Sequence, residues 1–197
     1  MEQEIILKMK GLWEVDYDGK SYELVFAPIL VNVALDHLDL KACMRDNKKT
    51  INPEYLDEVK EVLYNKHDVF LATARTKKDK VCGFIVGKIC ARSQIRNFDK
   101  HLKFTKSNSG LFTHERVGFI VLICSNPKYH VGKQLLDLVM LYLRSKLVHR
   151  IGLITAIHHL VPVYERWGFK PVAGTEIEPT VVDEFTTISG NKYMEKG

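Results

Sequence analysis

The amino-acid sequence predicts a mixed α/β (α+β) fold: a central sheet of six to seven strands flanked by about four helices, with a hairpin at the N-terminus. Three observations carry this. An Asp18-Gly19 pair separates E-I-I-L-K-M-K-G-L-W-E-V-D-Y from K-S-Y-E-L-V-F-A, and such a linker favours a hairpin because both turn positions want φ > 0. From Asp68 the apolar pattern has period two, V-F-L-A-T-A-R, then K-K-D-K, then V-C-G-F-I-V-G-K-I-C-A; this is a second antiparallel pair, its later strand apolar on both faces as in a sheet centre. Between Arg116 and Phe169, strand-like R-V-G-F-I-V-L-I-C and I-G-L-I-T-A-I alternate with a helix opening at V-G-K-Q-L-L and a segment closing on Y-E-R-W-G-F.

The remaining elements follow in order. Pro28 starts a stretch with apolar residues at helical spacing, I-L-V-N-V-A-L-D-H-L-D-L-K-A-C-M, which the polar cluster Arg45 to Thr50 ends. Asn52-Pro53 opens a second helix, with Asn as cap and Pro at the first helical position, running to about Asn65. The connection from Arg92 to Glu115, with its S-N-S-G loop at Ser107 to Gly110, is too long to be structureless in a compact domain, so it holds a helix or it moves. In it Arg92, Arg96, Lys100, Lys103 and Lys106 recur at spacings of three and four, with Ile95, Phe98 and Leu102 between them. A helix there presents one basic and one apolar face: a solvated surface packed on the domain, or a docking patch for an anionic partner. Strand 116–124, helix 132–148, strand 151–156, a short helix 159–167 and a strand pair from Phe169 to Met194 complete the chain.

Composition narrows the class. At 197 residues, 46% hydrophobic and 27% charged, the chain is expected to fold as a single globular domain, 1–197. No apolar run reaches the ~18 residues that cross a bilayer, and Met-Glu-Gln-Glu is acidic where a secretory leader is basic, so a cytoplasmic protein with no membrane partner is expected. Cys43, Cys82, Cys90 and Cys124 have no C-x-x-C spacing and are read as buried free thiols. Eight histidines form no H-E-x-x-H or Cys/His cluster, so no metal is expected. A net charge of +5 suits phosphate-bearing ligands and is too small to indicate nucleic acid.

The chemistry concentrates in Arg116 to Phe169. A strand that feeds a helix through a turn with Pro127 and Gly132 leaves unpaired backbone N–H groups and the positive dipole end at one spot, which suits a phosphate. Tyr164 stands one strand further on, where its hydroxyl can donate a proton or its ring can pack. The order of elements from about residue 20 to 197, the turn Pro127-Lys128-Tyr129-His130-Val131-Gly132 and the closing Val163-Tyr164-Glu165-Arg166-Trp167-Gly168-Phe169 resemble the GNAT superfamily of N-acyltransferases. The resemblance implies a GNAT-like sheet in which the strand carrying Ile120, Val121, Leu122, Ile123 and Cys124 pairs with the pantetheine of acetyl-CoA. It implies that the amides of Val131, Gly132, Lys133 and Gln134 hold the pyrophosphate. The family's Q/R-x-x-G-x-G/A loop is about three residues longer and starts on Gln or Arg; charge on Lys128 and Lys133 can compensate. The same resemblance makes Tyr164 the acid that meets the departing thiolate, and Ile157 replaces the asparagine that often precedes it. Neighbouring His158 is polar and can bind CoA or substrate, and Ser125 at the strand's end can hydrogen-bond the cofactor or only cap the turn.

Attack on a thioester also needs a neutral amine, because an ammonium has no lone pair. Relatives often place a glutamate on the equivalent of strand 116–124; here the nearest candidates are Glu115 and His114, just before it. The resulting reading is an acetyl-CoA-dependent N-acyltransferase acting on a small-molecule or protein amine, as a monomer or homodimer and without nucleic acid. A GNAT-fold binding protein of weakened chemistry, acting through protein or nucleic-acid contact, is the alternative. Asp36 and Asp39 can attract a cationic amine or simply line a solvated helix face.

Overall fold

The computed structural model describes residues 6–38, 53–97, 102–104, 114–155, 160–173, 175–177, 180–183, 186–188 and 192–197. Asp39, Cys43, the Asn52 cap, the Ser107–Gly110 loop and His158 lie outside these residues. Contacts cluster in two compact units, Met1–Lys88 with Val121–Tyr142, and Ile89–Ile120 with Leu143–Gly197. Among the described residues the main sheet has nine strands, more than the six to seven expected.

In the first unit, β1 (Ile6–Met9), β2 (Leu12–Tyr17), β3 (Lys20–Val25), β4 (Val69–Thr76) and the Val81–Lys88 part of β5 (Val81–Ala91) pair in sequence order, all antiparallel. Asp18 and Gly19 make the anticipated turn, with φ of 49° and 67°. The first arm is not one strand. It reverses at Lys10-Gly11, where Gly11 has φ of 94°, and this extra turn accounts for one of the added strands. Helix α1 (Pro28–Asp36) buries Val31 and Leu35, and α2 (Pro53–Leu63) starts at the expected proline. Buried Asn32 ties the two helices: its amide donates to Asn65 Oδ1 at 2.8 Å and accepts from the Asn65 N–H at 3.2 Å, so its burial leaves neither group unpaired.

The core of this unit is aromatic. Tyr142, near the end of α3 (Gly132–Ser145), packs against Phe26 at 4.9 Å, Trp13 at 5.8 Å and Phe70 at 5.9 Å between ring centroids. Each such pair is worth about 0.5–1.5 kcal/mol beyond the apolar area it buries.

In the second unit the Arg116–Ile120 part of β7 (Arg116–Ser125) pairs in parallel with β8 (Ile151–Thr155), β8 with antiparallel β13 (Lys192–Lys196), and β13 with the two-residue β9 (Lys170–Pro171). Two small ribbons join β6 (Leu102–Phe104) to β10 (Thr175–Ile177) and β11 (Thr180–Asp183) to β12 (Thr186–Ile188). Helix α4 (Val161–Arg166) precedes β9. The basic stretch after Ala91 is not one amphipathic helix: Arg92–Asn97 is a 3₁₀ turn, residues 102–104 are a strand, and Arg92 is only 1% exposed. Burial of Arg92 is possible because carboxylates from distant parts of the chain neutralise it, which residue spacing cannot register.

Candidate functional site

The first unit builds the phosphate-suited junction. β7 leaves through Asn126, whose N–H donates to the Cys82 carbonyl at 2.9 Å. The Asn126 side chain accepts from the Lys128 N–H at 3.0 Å and its carbonyl from the Tyr129 N–H at 3.0 Å, closing the 3₁₀ turn Pro127–Tyr129. His130 then adopts the left-handed conformation, φ 50° and ψ 37°, and redirects the chain. The Val131 carbonyl accepts the first bond of α3, from Leu135 at 3.0 Å, so the amides of Gly132, Lys133 and Gln134 precede the helical ladder and have no acceptor within it. The loop is short because one 3₁₀ turn and one left-handed residue accomplish the reversal.

Gly83 on β5 lets α3 come close. A methyl group there would lie 2.6 Å from Val131 Cγ2 and 3.1 Å from both the Cys124 carbonyl oxygen and Leu135 Cδ1. Around the turn, Lys128 is exposed with its amide already committed, and its Nζ lies 5.8 Å from the Tyr129 ring centre. Lys133 pairs with Asp137 at 2.7 Å across one helical turn, an exposed contact of about 0.5 kcal/mol or less that a stronger anion can displace. Gln134 Oε1 is buried and has no hydrogen-bond partner among the described residues.

Along β7, Leu122 and Cys124 are buried while Val121, Ile123 and Ser125 are half-buried. The register with β8 sets Gly118 beside Ile151, Phe119 beside Gly152 and Ile120 beside Leu153. Cys82 and Cys90 are buried free thiols as expected, but Cys124 is disulfide-bonded, which corrects the free-thiol reading for that residue.

The second unit holds Tyr164, Glu115 and His114. Tyr164 lies in α4 with its ring edge-on to Trp167 and Phe169, both at 5.9 Å. The helix ends in a Schellman arrangement: Phe169 N–H donates to the Tyr164 carbonyl at 3.0 Å, Gly168 N–H to Glu165 at 2.9 Å, and Gly168 has φ of 91°. The Tyr-x-x-x-Gly-Phe spacing is therefore also a capping motif, with Tyr164 and Phe169 as its hydrophobic pair. Burial pushes the Tyr164 phenol up to about 12.

Glu115 is held by two arginines, Arg150 at 2.8 Å and Arg92 at 3.1 Å. Partial burial alone would raise its pKa; the hydrogen bonds and charges of the two arginines outweigh that and lower it. A carboxylate so engaged is a weaker base than a free one. His114, beside it, is exposed.

A charged group that sequence reasoning missed sits behind Glu115. Arg92 forks onto Glu195, Nε to Oε1 at 2.6 Å and Nη2 to Oε2 at 2.8 Å, and the Tyr193 hydroxyl donates to the same Oε1 at 2.6 Å. Desolvation opposes the Arg92 cation, but Glu195 more than restores it, so its pKa is raised; burial and then the Glu195 charge push Tyr193 well up. In the sequence Arg92 looked like one more member of a basic run, and nothing marked Glu195 or Tyr193.

No protein-family description and no curated protein sequence matches the chain. Solved structures do. An acetyltransferase from Streptococcus agalactiae superposes with a TM-score of 0.54 at 16% identity, covering 91% of this chain and 99% of its own. Arabidopsis thaliana NAA60, solved in complex with acetyl-CoA, superposes with a TM-score of 0.50 at 15% identity, covering 89% and 97%. At such identities the likeness is one of fold.

Proposed function

We propose, from the premise that this chain has the fold of the GNAT acyltransferases, that it transfers an acetyl group from acetyl-CoA to the primary amine of a small molecule or protein. The observation that carries the reading is that β7 feeds, through the capped Asn126 turn, a helix whose first amides have no acceptor in the ladder. In this reading the backbone of Ile120 to Ser125 pairs with the pantetheine, and the amides of Val131 to Gln134 bind the pyrophosphate, assisted by the charges of Lys128 and Lys133. His158 remains a cofactor contact on the resemblance alone. The chain works as one acyltransferase domain in the cytoplasm, as a monomer or homodimer.

Tyr164 is the proton donor to the leaving thiolate. With a phenol near 12 it stays protonated at neutral pH, as a donor must. Complete transfer to a thiolate of pKa about 8.5 would be uphill by about 5 kcal/mol, so Tyr164 acts mainly by hydrogen-bonding the developing negative charge. Its two arginines disfavour Glu115 as the base, which leaves His114 the better candidate of the two for taking the amine's proton.

Acetyl-CoA at about 100 times its Kd should stabilise the protein by about 2.7 kcal/mol, a rise of roughly 5–10 °C in Tm for a chain of this size. No shift at millimolar acetyl-CoA removes the acyltransferase reading and leaves a GNAT-fold binding protein. Tyr164→Phe should lower kcat by about 10²-fold or more with KM for acetyl-CoA unchanged; undiminished turnover would exclude Tyr164 as donor.

A further inference from the structure

We propose that Arg92 and Glu195 are positioning residues: their buried fork fixes the place of β13, β13 carries β9, and β9 anchors the capped turn that presents Tyr164. Its catalytic consequence rests on the reading of Tyr164 as proton donor, its structural content does not.

Arg92 is 1% and Glu195 4% exposed, with two charge-assisted hydrogen bonds between them. A buried pair of this kind is about as stable as apolar residues of equal volume would be, so stability alone is a weak reason for it; what a fork offers over a greasy contact is one geometry. That geometry is reinforced on both sides. Tyr193, itself 2% exposed, donates to Glu195 Oε1, and Arg92 Nη2 reaches Glu115, whose carbonyl also accepts from the Arg92 N–H at 2.9 Å.

The mechanical link is short. Glu195 and Met194 pair with Lys170 and Pro171, and the Val172 N–H donates to the Tyr193 carbonyl at 3.1 Å. Lys170 follows Phe169, whose N–H is bonded to the Tyr164 carbonyl. β9 is only two residues long and exposed, and β13 is its partner strand in the sheet. If β13 slips, the Tyr164 turn loses its footing.

The test uses the full chain with Arg92→Met and Glu195→Gln combined, which keeps the net charge and an acceptor for Tyr193. Hydrogen exchange of the amides of residues 164–171 should quicken about tenfold or more, with those of β4 unchanged as an internal reference. A merely structural role would quicken exchange evenly. Turnover should fall about 10- to 100-fold with KM for acetyl-CoA within about twofold, and adding Tyr164→Phe should bring the loss to that of Tyr164→Phe alone and no further, because both changes act on one function. Unchanged exchange at 164–171 in the folded variant, or kcat losses that multiply with Tyr164→Phe, would overturn the proposal. If the double variant does not fold, Arg92→Lys, which keeps the charge but loses the planar fork, takes the same exchange measurement. Should Tyr164→Phe alone leave turnover intact, the donor reading falls while the exchange result still decides the positioning role.

Discussion

Replacing Gly83 by Ala puts a methyl group into the contact between β5 and the start of α3. The new carbon would sit 2.6 Å from Val131 Cγ2, where carbon atoms prefer about 3.5–4.0 Å, so about 1 Å must be found. Retreat is blocked by the Cys124 carbonyl oxygen and Leu135 Cδ1, each at 3.1 Å. Val131 is fully buried and β-branched, hence stiff at χ1, so the helix start moves instead of one rotamer. Overpacking of this kind costs about 1–3 kcal/mol, and the entropy that alanine removes from the unfolded chain returns about 0.5–1 kcal/mol. The net is a destabilisation of about 0.5–2 kcal/mol, or roughly 1–8 °C in Tm. The displaced amides of Gly132 to Gln134 should also weaken acetyl-CoA binding about tenfold or more, the value of one charge-assisted hydrogen bond. Urea denaturation reads the first effect and an acetyl-CoA thermal-shift titration the second. A Gly83→Ala protein as stable as the wild type, with acetyl-CoA affinity within about twofold, would refute the argument that close approach at Gly83 sets the helix start.

Gly168→Ala forces a side chain into φ of 91° at the end of α4 and should cost about 1–2 kcal/mol by urea denaturation, with a fall in kcat because the same cap holds Tyr164. Glu115 has a lowered folded pKa, so the stability it contributes is present above its unfolded value of about 4.3 and disappears as pH falls through the folded one. Glu115→Gln should therefore be less stable than wild type at pH 7 and converge with it at low pH, seen as a shallower acid limb in urea midpoints. Tyr164 has the opposite sign: with its phenol moved from 10 to about 12, stability is intact below pH 10 and declines between the two values. Tyr164→Phe should lessen that alkaline loss; an unchanged limb would mean that the ring is not desolvated.

What could be read along the chain was what neighbouring residues settle among themselves. Asp18-Gly19 made the anticipated turn because each residue tolerates φ > 0, and Pro53 began its helix because a fixed φ costs nothing there. Even the Tyr164 to Phe169 pattern is a local device, a helix cap whose two aromatic rings touch. The Lys10-Gly11 reversal was missed because one glycine inside an irregular alternation is a weak break, and its φ of 94° becomes visible only once β1 folds back on β2. The order of strands and helices, and with it the family resemblance, followed from such local preferences. Tertiary structure alone decided the rest. Arg92 went from one of several basic residues to one of the most buried side chains because Glu195, 103 positions away, met it with a matching fork. Glu115 changed from a free candidate base to an ion-paired carboxylate because Arg92 and Arg150 converge on it, and the register that sets Gly118 to Ile120 beside Ile151 to Leu153 is one that no single strand encodes. Turns and caps depend on dihedral preferences of a few adjacent residues; charge pairing, burial and register depend on partners that only the folded chain brings within reach.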